Sequence, residues 1–151
     1  MNTNIILKVA AVIINSKQQK LLIKEQYTRK GGFKWNMVKG TLDDSDETIE
    51  ECIKREIQEE TGLVNFGAIV LKRIYHYGTS EQLKILFVFD VQCIGNEIPT
   101  INNNNRDENI SEIKWFSKKE IDKLKKKDCM AFYVYDSIKT EIKKDVIISR
   151  I

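Results

Sequence analysis

Glu56, Glu59 and Glu60 stand at positions i, i+3 and i+4 of a segment whose apolar residues recur with helical spacing, so three carboxylates converge on one patch of a helix. Like charges at that spacing repel, and near the C-terminal end of a helix the dipole disfavours anions further. A hard divalent cation offsets both effects. Mg²⁺ or Mn²⁺ takes carboxylate oxygens while keeping positions open for water and phosphate, and it lowers the pKa of bound water. Phosphate chemistry is therefore the first expectation. The same residues also read as a solvated acidic face, with Arg55 four positions from both Glu51 and Glu59 and able to pair with either.

The element that carries them runs from Glu47 to Thr61, where Ile49, Cys52, Ile53 and Ile57 make an apolar stripe. The carboxylates are expected on the face away from the isoleucines. Ser45 or Asp46 is the expected cap at the start, and Gly62 the left-handed stop. Upstream, "IILKVAAVII" (Ile5 to Ile14) predicts a strand covered on both faces, with "KLLIKEQY" returning beside it. "TRKGGFK" predicts a surface loop and "WNMV" a short strand. Downstream, "FGAIVLKRIYHY" and "LKILFVFDVQC" predict a hairpin closed through "GTSEQ". "GNEIPTINNNNRDENIS" (Gly95 to Ser111) predicts a long loop that is either a lid over substrate or a plain connection.

A strand "EIKWF" then leads into a helix opened by the capping box of Ser117 and Glu120. A last helix is expected from Met130 to Lys144, with Phe132, Tyr135, Ile138 and Ile142 on one stripe. The tail "DVIISRI" suits either a homodimer contact or the completion of the core. Strands separated by a few helices point to an α/β or α+β sandwich.

The 151 residues suit one domain, residues 1–151, and 42% hydrophobic with 31% charged residues suits a self-folding globule. No apolar run approaches bilayer length and the start lacks a basic leader, so the expectation is a cytoplasmic protein with no membrane partner. Net charge is +3 with the basic residues dispersed, which does not by itself imply nucleic-acid binding; the densest run, "KLKKKD", reads as a solvated helical face. Cys52, Cys93 and Cys129 are too widely spaced for a zinc site or disulfide framework and are expected as buried thiols.

Read as a whole, "GTLDDSDETIEECIKREIQEETGL" (Gly40 to Leu63) resembles the box of the Nudix hydrolases, G-x5-E-x7-R-E-U-x-E-E-x-G-U, with U aliphatic. Glu47, Arg55, Glu56, Ile57, Glu59, Glu60, Gly62 and Leu63 all match. The first half departs: six residues, not five, separate Gly40 from Glu47. Either Thr41 takes the glycine position or "DDSD" holds a one-residue insertion. In the second reading "WNMVKGTL" is similar to the W-x-x-x-K-G-x-L run of many members.

The resemblance implies an α/β/α sandwich around a mixed β-sheet and a metal-dependent pyrophosphohydrolase. Such an enzyme cuts a phosphoanhydride bond in a nucleoside diphosphate linked to another group, such as a dinucleoside polyphosphate, a nucleoside triphosphate or an RNA 5′ end. Glu56, Glu59, Glu60 and the Gly40 carbonyl are then the implied metal ligands for Mg²⁺ or Mn²⁺, with Glu56, Glu59 and Arg55 catalytic. Arg55 orients Glu56 or its neighbours, and Glu47 braces the loop through Arg55 or backbone amides. Glu108 and Glu112 are candidates for an extra base or ligand, and Lys39 for a phosphate contact. Either Tyr77 or Tyr75, on the two sides of His76, offers an aromatic ring to a base, or all three pack or face water. Trp35 and Trp115 are expected in the core. The alternative is a catalytically silent Nudix-fold module that binds a nucleotide or a protein; it is disfavoured by the full set of carboxylates.

Overall fold

The β-branched opening run forms β1 (Asn4–Ile14), whose alternate residues enter two separate cores: Val9, Ala11 and Ile13 one, Ala10 and Val12 the other. These coordinates are a computed structural model and describe residues 3–29, 32–101, 110–141 and 147–151. A strand apolar on both faces belongs in the middle of a sheet. β1 accordingly runs parallel to β6 (Gln82–Cys93) from Asn4 to Ile14, and β6 forms the expected hairpin with β5 (Phe66–Gly78).

On its other side β1 changes neighbours. Only Ile13 and Ile14 pair with β2 (Lys20–Gln26), whereas Lys8 to Ala11 pair with β4 (Val38–Thr41). β2 thus returns beside β1 for two residues and then peels away to pair with β3 (Phe33–Asn36) and with β7 (Ile110–Phe116). The single strand expected at "WNMV" is two strands broken at Met37: the chain leaves β2's edge at Asn36 and joins β1's edge at Val38. This crossing splits the sheet where the acidic helix packs.

That helix, α1 (Ile49–Thr61), lays Cys52, Ile53 and Ile57 on the Val9 face. Its N-cap is Thr48, whose hydroxyl accepts from Glu51 N at 3.0 Å, and not the expected Ser45 or Asp46. Gly62 ends it at φ 73°, as its freedom from a Cβ allows. Leaving α1, the chain enters β5; the start of the long loop folds back on this turn. Glu97 accepts from Val64 and Asn65 N–H, and Thr100 N donates to Thr61 O at 2.8 Å. Residues 102–109 of that loop, including Glu108, lie outside the described residues, and Ile110 and Ser111, expected in the loop, already belong to β7.

The opposite face is covered by α2 (Lys118–Lys123), opened by the Ser117–Glu120 capping box, and by α3 (Phe132–Lys139). Between them, Lys126–Asp128 is a 3-10 turn and not a continuation of the helix expected through "KLKKKD". α3 is shorter than the Met130–Lys144 expectation, and its buried stripe is Val134 and Ile138 while Phe132 is 51% exposed. Tyr75 on β5 explains the placement: wholly buried, it donates to Asp136 Oδ2 at 2.6 Å and touches Ser137 Oγ at 3.1 Å, with Arg73 on Asp136 at 3.0 Å. The tail joins the sheet as β8 (Ile147–Arg150), parallel to β5. The result is the mixed sheet between helices that the resemblance implied. All three cysteines are buried free thiols, as expected. No described helix is long and apolar enough to cross a membrane.

Candidate active site

Buried carboxylates mark the site. At about 100° per residue, Glu56 and Glu60 fall about 40° and 80° round α1 from Cys52, inside the arc that ends at Ile57 about 140° away. They therefore lie within the apolar stripe and not on the face away from it, and the fold buries both, to 9% and 1% exposure, while Glu59 stays exposed. The expectation of one outward acidic patch fails for this reason. Ionised carboxylates are rarely covered without partners that repay the lost hydration, so two on one core-facing stripe are a functional signature.

Gly40 on β4 explains how Glu56 fits. Its register partner is Val9, on the face α1 covers, and a Cβ built there would sit 1.9 Å from Glu56 Cδ and 2.1 Å from Oε1. Only glycine admits the carboxylate to the strand backbone. The structure thus brings two expected ligand positions, Gly40 and Glu56, into direct contact.

Arg55 organises the rest. Its Nη1 donates to Glu56 Oε1 at 2.9 Å and reaches Glu59 at 3.3 Å. Its other edge grips Asp46 in a fork, Nε to Oδ1 at 2.9 Å and Nη2 to Oδ2 at 2.8 Å. The expected partner, Glu47, instead has its backbone N–H held by Glu51. Arg55 holds the Asp46 carboxyl well below the ordinary aspartate value, and Asp46 in turn raises Arg55 above the ordinary arginine value. Beneath them Cys52 touches Arg55 Nη2 at 3.7 Å; burial pushes its thiol up to about 12, so it is not a nucleophile.

The other proposed residues separate by face. Lys39 pairs with Ala10 and so belongs to the α2–α3 face, where Tyr77 packs against the same core. The two are electrostatically in reach: Lys39 favours the Tyr77 phenolate, although burial prevails and pushes the phenol up. Glu112 stands opposite Lys24 across the β2–β7 ladder and pairs with it at 3.9 Å. Trp35 packs edge-on against Phe116 at 4.7 Å and Trp115 packs against the α1-side core, as expected.

Sequence reasoning missed Glu25 and Asn36. Both are buried, on the same face as Ile23, and Asn36 Nδ2 donates to Glu25 Oε2 at 3.1 Å. The available signal was the break in alternation: Glu25 follows "KLLIK" at a position whose parity is that of Leu21 and Ile23.

A family model described as the NUDIX domain matches residues 5–134, a span that contains every element from β1 into α3. The chain belongs to the Nudix family. Solved structures agree with this Nudix hydrolase in fold. A NUDIX hydrolase from Nitrosomonas europaea is 29% identical, with 91% of this chain and 86% of that one covered and a TM-score of 0.65. A MutT protein from Methanosarcina mazei Go1 is 22% identical over 93% and 99%, TM-score 0.63. The NUDIX domain of Shewanella oneidensis NrtR, solved with ADP ribose, is 18% identical over 91% and 86%, TM-score 0.62. No curated protein matches the chain.

The donor set of this Nudix hydrolase is all oxygen, which suits a hard divalent cation. Glu56 lies against the Gly40 backbone and Glu60 is buried one helical turn on, an all-oxygen set whose chemistry fits such an ion. Among the described residues no three acidic, histidine or cysteine side chains already converge on a single point; Arg55 holds Glu56 and Glu59 to its own side.

Proposed function

We propose that residues 1–151 form one catalytic domain that hydrolyses the phosphoanhydride bond of a nucleoside diphosphate derivative with Mg²⁺ or Mn²⁺. The observation that carries this reading is the burial of Glu56 against Gly40 with Glu60 one turn on, in a chain whose family hydrolyses such bonds. Glu56, Glu60 and the Gly40 carbonyl are the residues that would hold the cation. When bound it supplies charge neutralisation on the diphosphate and acidifies coordinated water.

The protein's own groups have separable tasks. Glu59, the exposed carboxylate of the three, accepts the proton of the attacking water. The water oxygen bonds to one phosphorus as the bond from that phosphorus to the bridging oxygen breaks, and the displaced phosphate leaves with the bridging oxygen. Arg55 fixes the direction of Glu56 and Glu59 without touching substrate. Lys39 and Tyr77 lie on the opposite face of the sheet and stand apart from the Glu56–Gly40 contact.

The test is turnover by the purified protein with Mg²⁺ or Mn²⁺ on a panel of dinucleoside polyphosphates, nucleoside triphosphates, nucleotide sugars and capped or triphosphorylated RNA. Glu59→Gln serves as the control. Metal-dependent release that falls by at least about 100-fold in the variant supports the hydrolase. Nucleotide binding without turnover across the panel would favour the silent binding module.

A further inference from the structure

We infer that Asp46, and not Glu47, is the positioning residue of this active site, the group that sets Arg55 and through it Glu56; the inference rests on the hydrolase reading above. From Gly40 the count of five intervening residues ends on Asp46. The extra residue of the box therefore lies after the bracing acid, between Asp46 and the helix, and not in the turn before it.

Several independent contacts converge on Asp46. Its side chain is 3% exposed, in a loop whose neighbours face solvent. Both oxygens are taken by the two nitrogens of one edge of Arg55, a planar match that an ammonium or a single bond does not provide. Oδ2 also accepts Asp43 N at 3.1 Å, and Asp46 N returns a bond to Asp43 O at 3.1 Å, so the acid is fixed to its own loop. Arg55 Nη2 further donates to the Thr41 carbonyl at 3.4 Å, next to Gly40. A continuous path thus runs from the loop through Asp46 and Arg55 to Glu56 against Gly40.

Why the shorter acid serves is a matter of reach. Thr48 caps α1, which leaves Glu47 outside the first turn with its N–H committed to Glu51. Asp46, one residue earlier, sits across from Arg55, where a side chain one methylene shorter closes the fork. The inserted residue and the shorter acid compensate each other.

Two measurements test this. In steady-state kinetics with the best substrate of the panel, Asp46→Asn is expected to lower kcat about 10- to 100-fold with KM within about threefold. Asp46→Glu should recover part of the loss, and Glu47→Gln should stay within about twofold of the parent. Equal kinetics for Asp46→Asn and parent, or a greater loss in Glu47→Gln, overturns the inference. The second readout is independent of turnover: the Arg55 Nε–H resonance, assigned by its absence in Arg55→Lys. It is expected to be protected from solvent exchange in the parent and in Glu47→Gln and to lose protection in Asp46→Asn. Unchanged protection in Asp46→Asn would sink the inference even if the protein turned over nothing, whereas an inactive parent with the expected resonances would sink only the hydrolase reading.

Discussion

Gly40 shows how one residue's lack of a side chain can be the condition for another residue's function. Glu56 fills the space a Cβ would need, with its carboxyl carbon 1.9 Å from that position. Gly40→Ala must therefore push Glu56 or the β4 backbone aside. The expected outcome is loss of metal-dependent turnover together with a destabilisation of about 1–3 kcal/mol from overpacking, read from urea denaturation. A Gly40→Ala protein as active as the parent would remove Gly40 and Glu56 from the reacting centre. The importance of Gly40 was legible in the sequence only through the resemblance; its cause, a carboxylate pressed on a strand, required the fold.

At the scale of the element, α1 is held at its ends by short-range chemistry whose sequence trace is unambiguous at the stop and ambiguous at the start. The stop at Gly62 was legible because left-handed backbone strongly favours glycine. The start was not, because Ser45, Asp46 and Thr48 are all competent caps and only their other obligations decide among them. The Ser45 hydroxyl donates to Asp43, the Asp46 carboxylate accepts from Arg55, and Thr48 remains to accept from Glu51 N. Thr48→Ala is accordingly expected to cost about 1 kcal/mol in thermal or urea unfolding. Ser45→Ala, at an exposed loop position, should cost less than half as much. A larger loss at Ser45 would move the cap.

The carboxylates of the same helix teach the converse. Spacing gave Glu56, Glu59 and Glu60 as one group, but the wheel divides them, two in the buried arc and one outside it. That division is present in the sequence at about 100° per residue, although residue type alone sends all three carboxylates to water. Where a glutamate falls inside an apolar arc, position outweighs type.

For the whole molecule, two layers of side chains on opposite faces of the sheet join distant segments. Among the described residues, a buried ion pair joins adjacent strands: Lys72 of β5 and Asp90 of β6 have side chains 2% and 5% exposed and pair at 3.3 Å. Burial pushes the lysine down and the aspartate up, each against the attraction of the other. Asp90→Asn leaves a buried ammonium without its counter-charge and is expected to cost about 3–5 kcal/mol, whereas Lys72→Met with Asp90→Leu should cost far less. Urea midpoints of the two proteins, read at equal m, separate these outcomes; equal losses would show that shape and not charge sustains the joint.

Local chemistry sufficed for the hairpin of β5 and β6, the capping box at Ser117 and the α1 stripe, because periodicity and caps act within a few residues. Together with the box they carried the family and the α/β/α architecture. The break at Met37, the short α3, the pairing of the tail with β5, the placement of Lys39 and Tyr77 on one face and the choice of Asp46 over Glu47 were decided only by tertiary structure. Each depends on which remote segment occupies the neighbouring edge or face: β1 shares its edge between β2 and β4, Tyr75 anchors Asp136 of α3, and Arg55 selects the acid within its reach. Such selections are competitions between partners far apart in the chain, and spacing along the chain contains no distance between them.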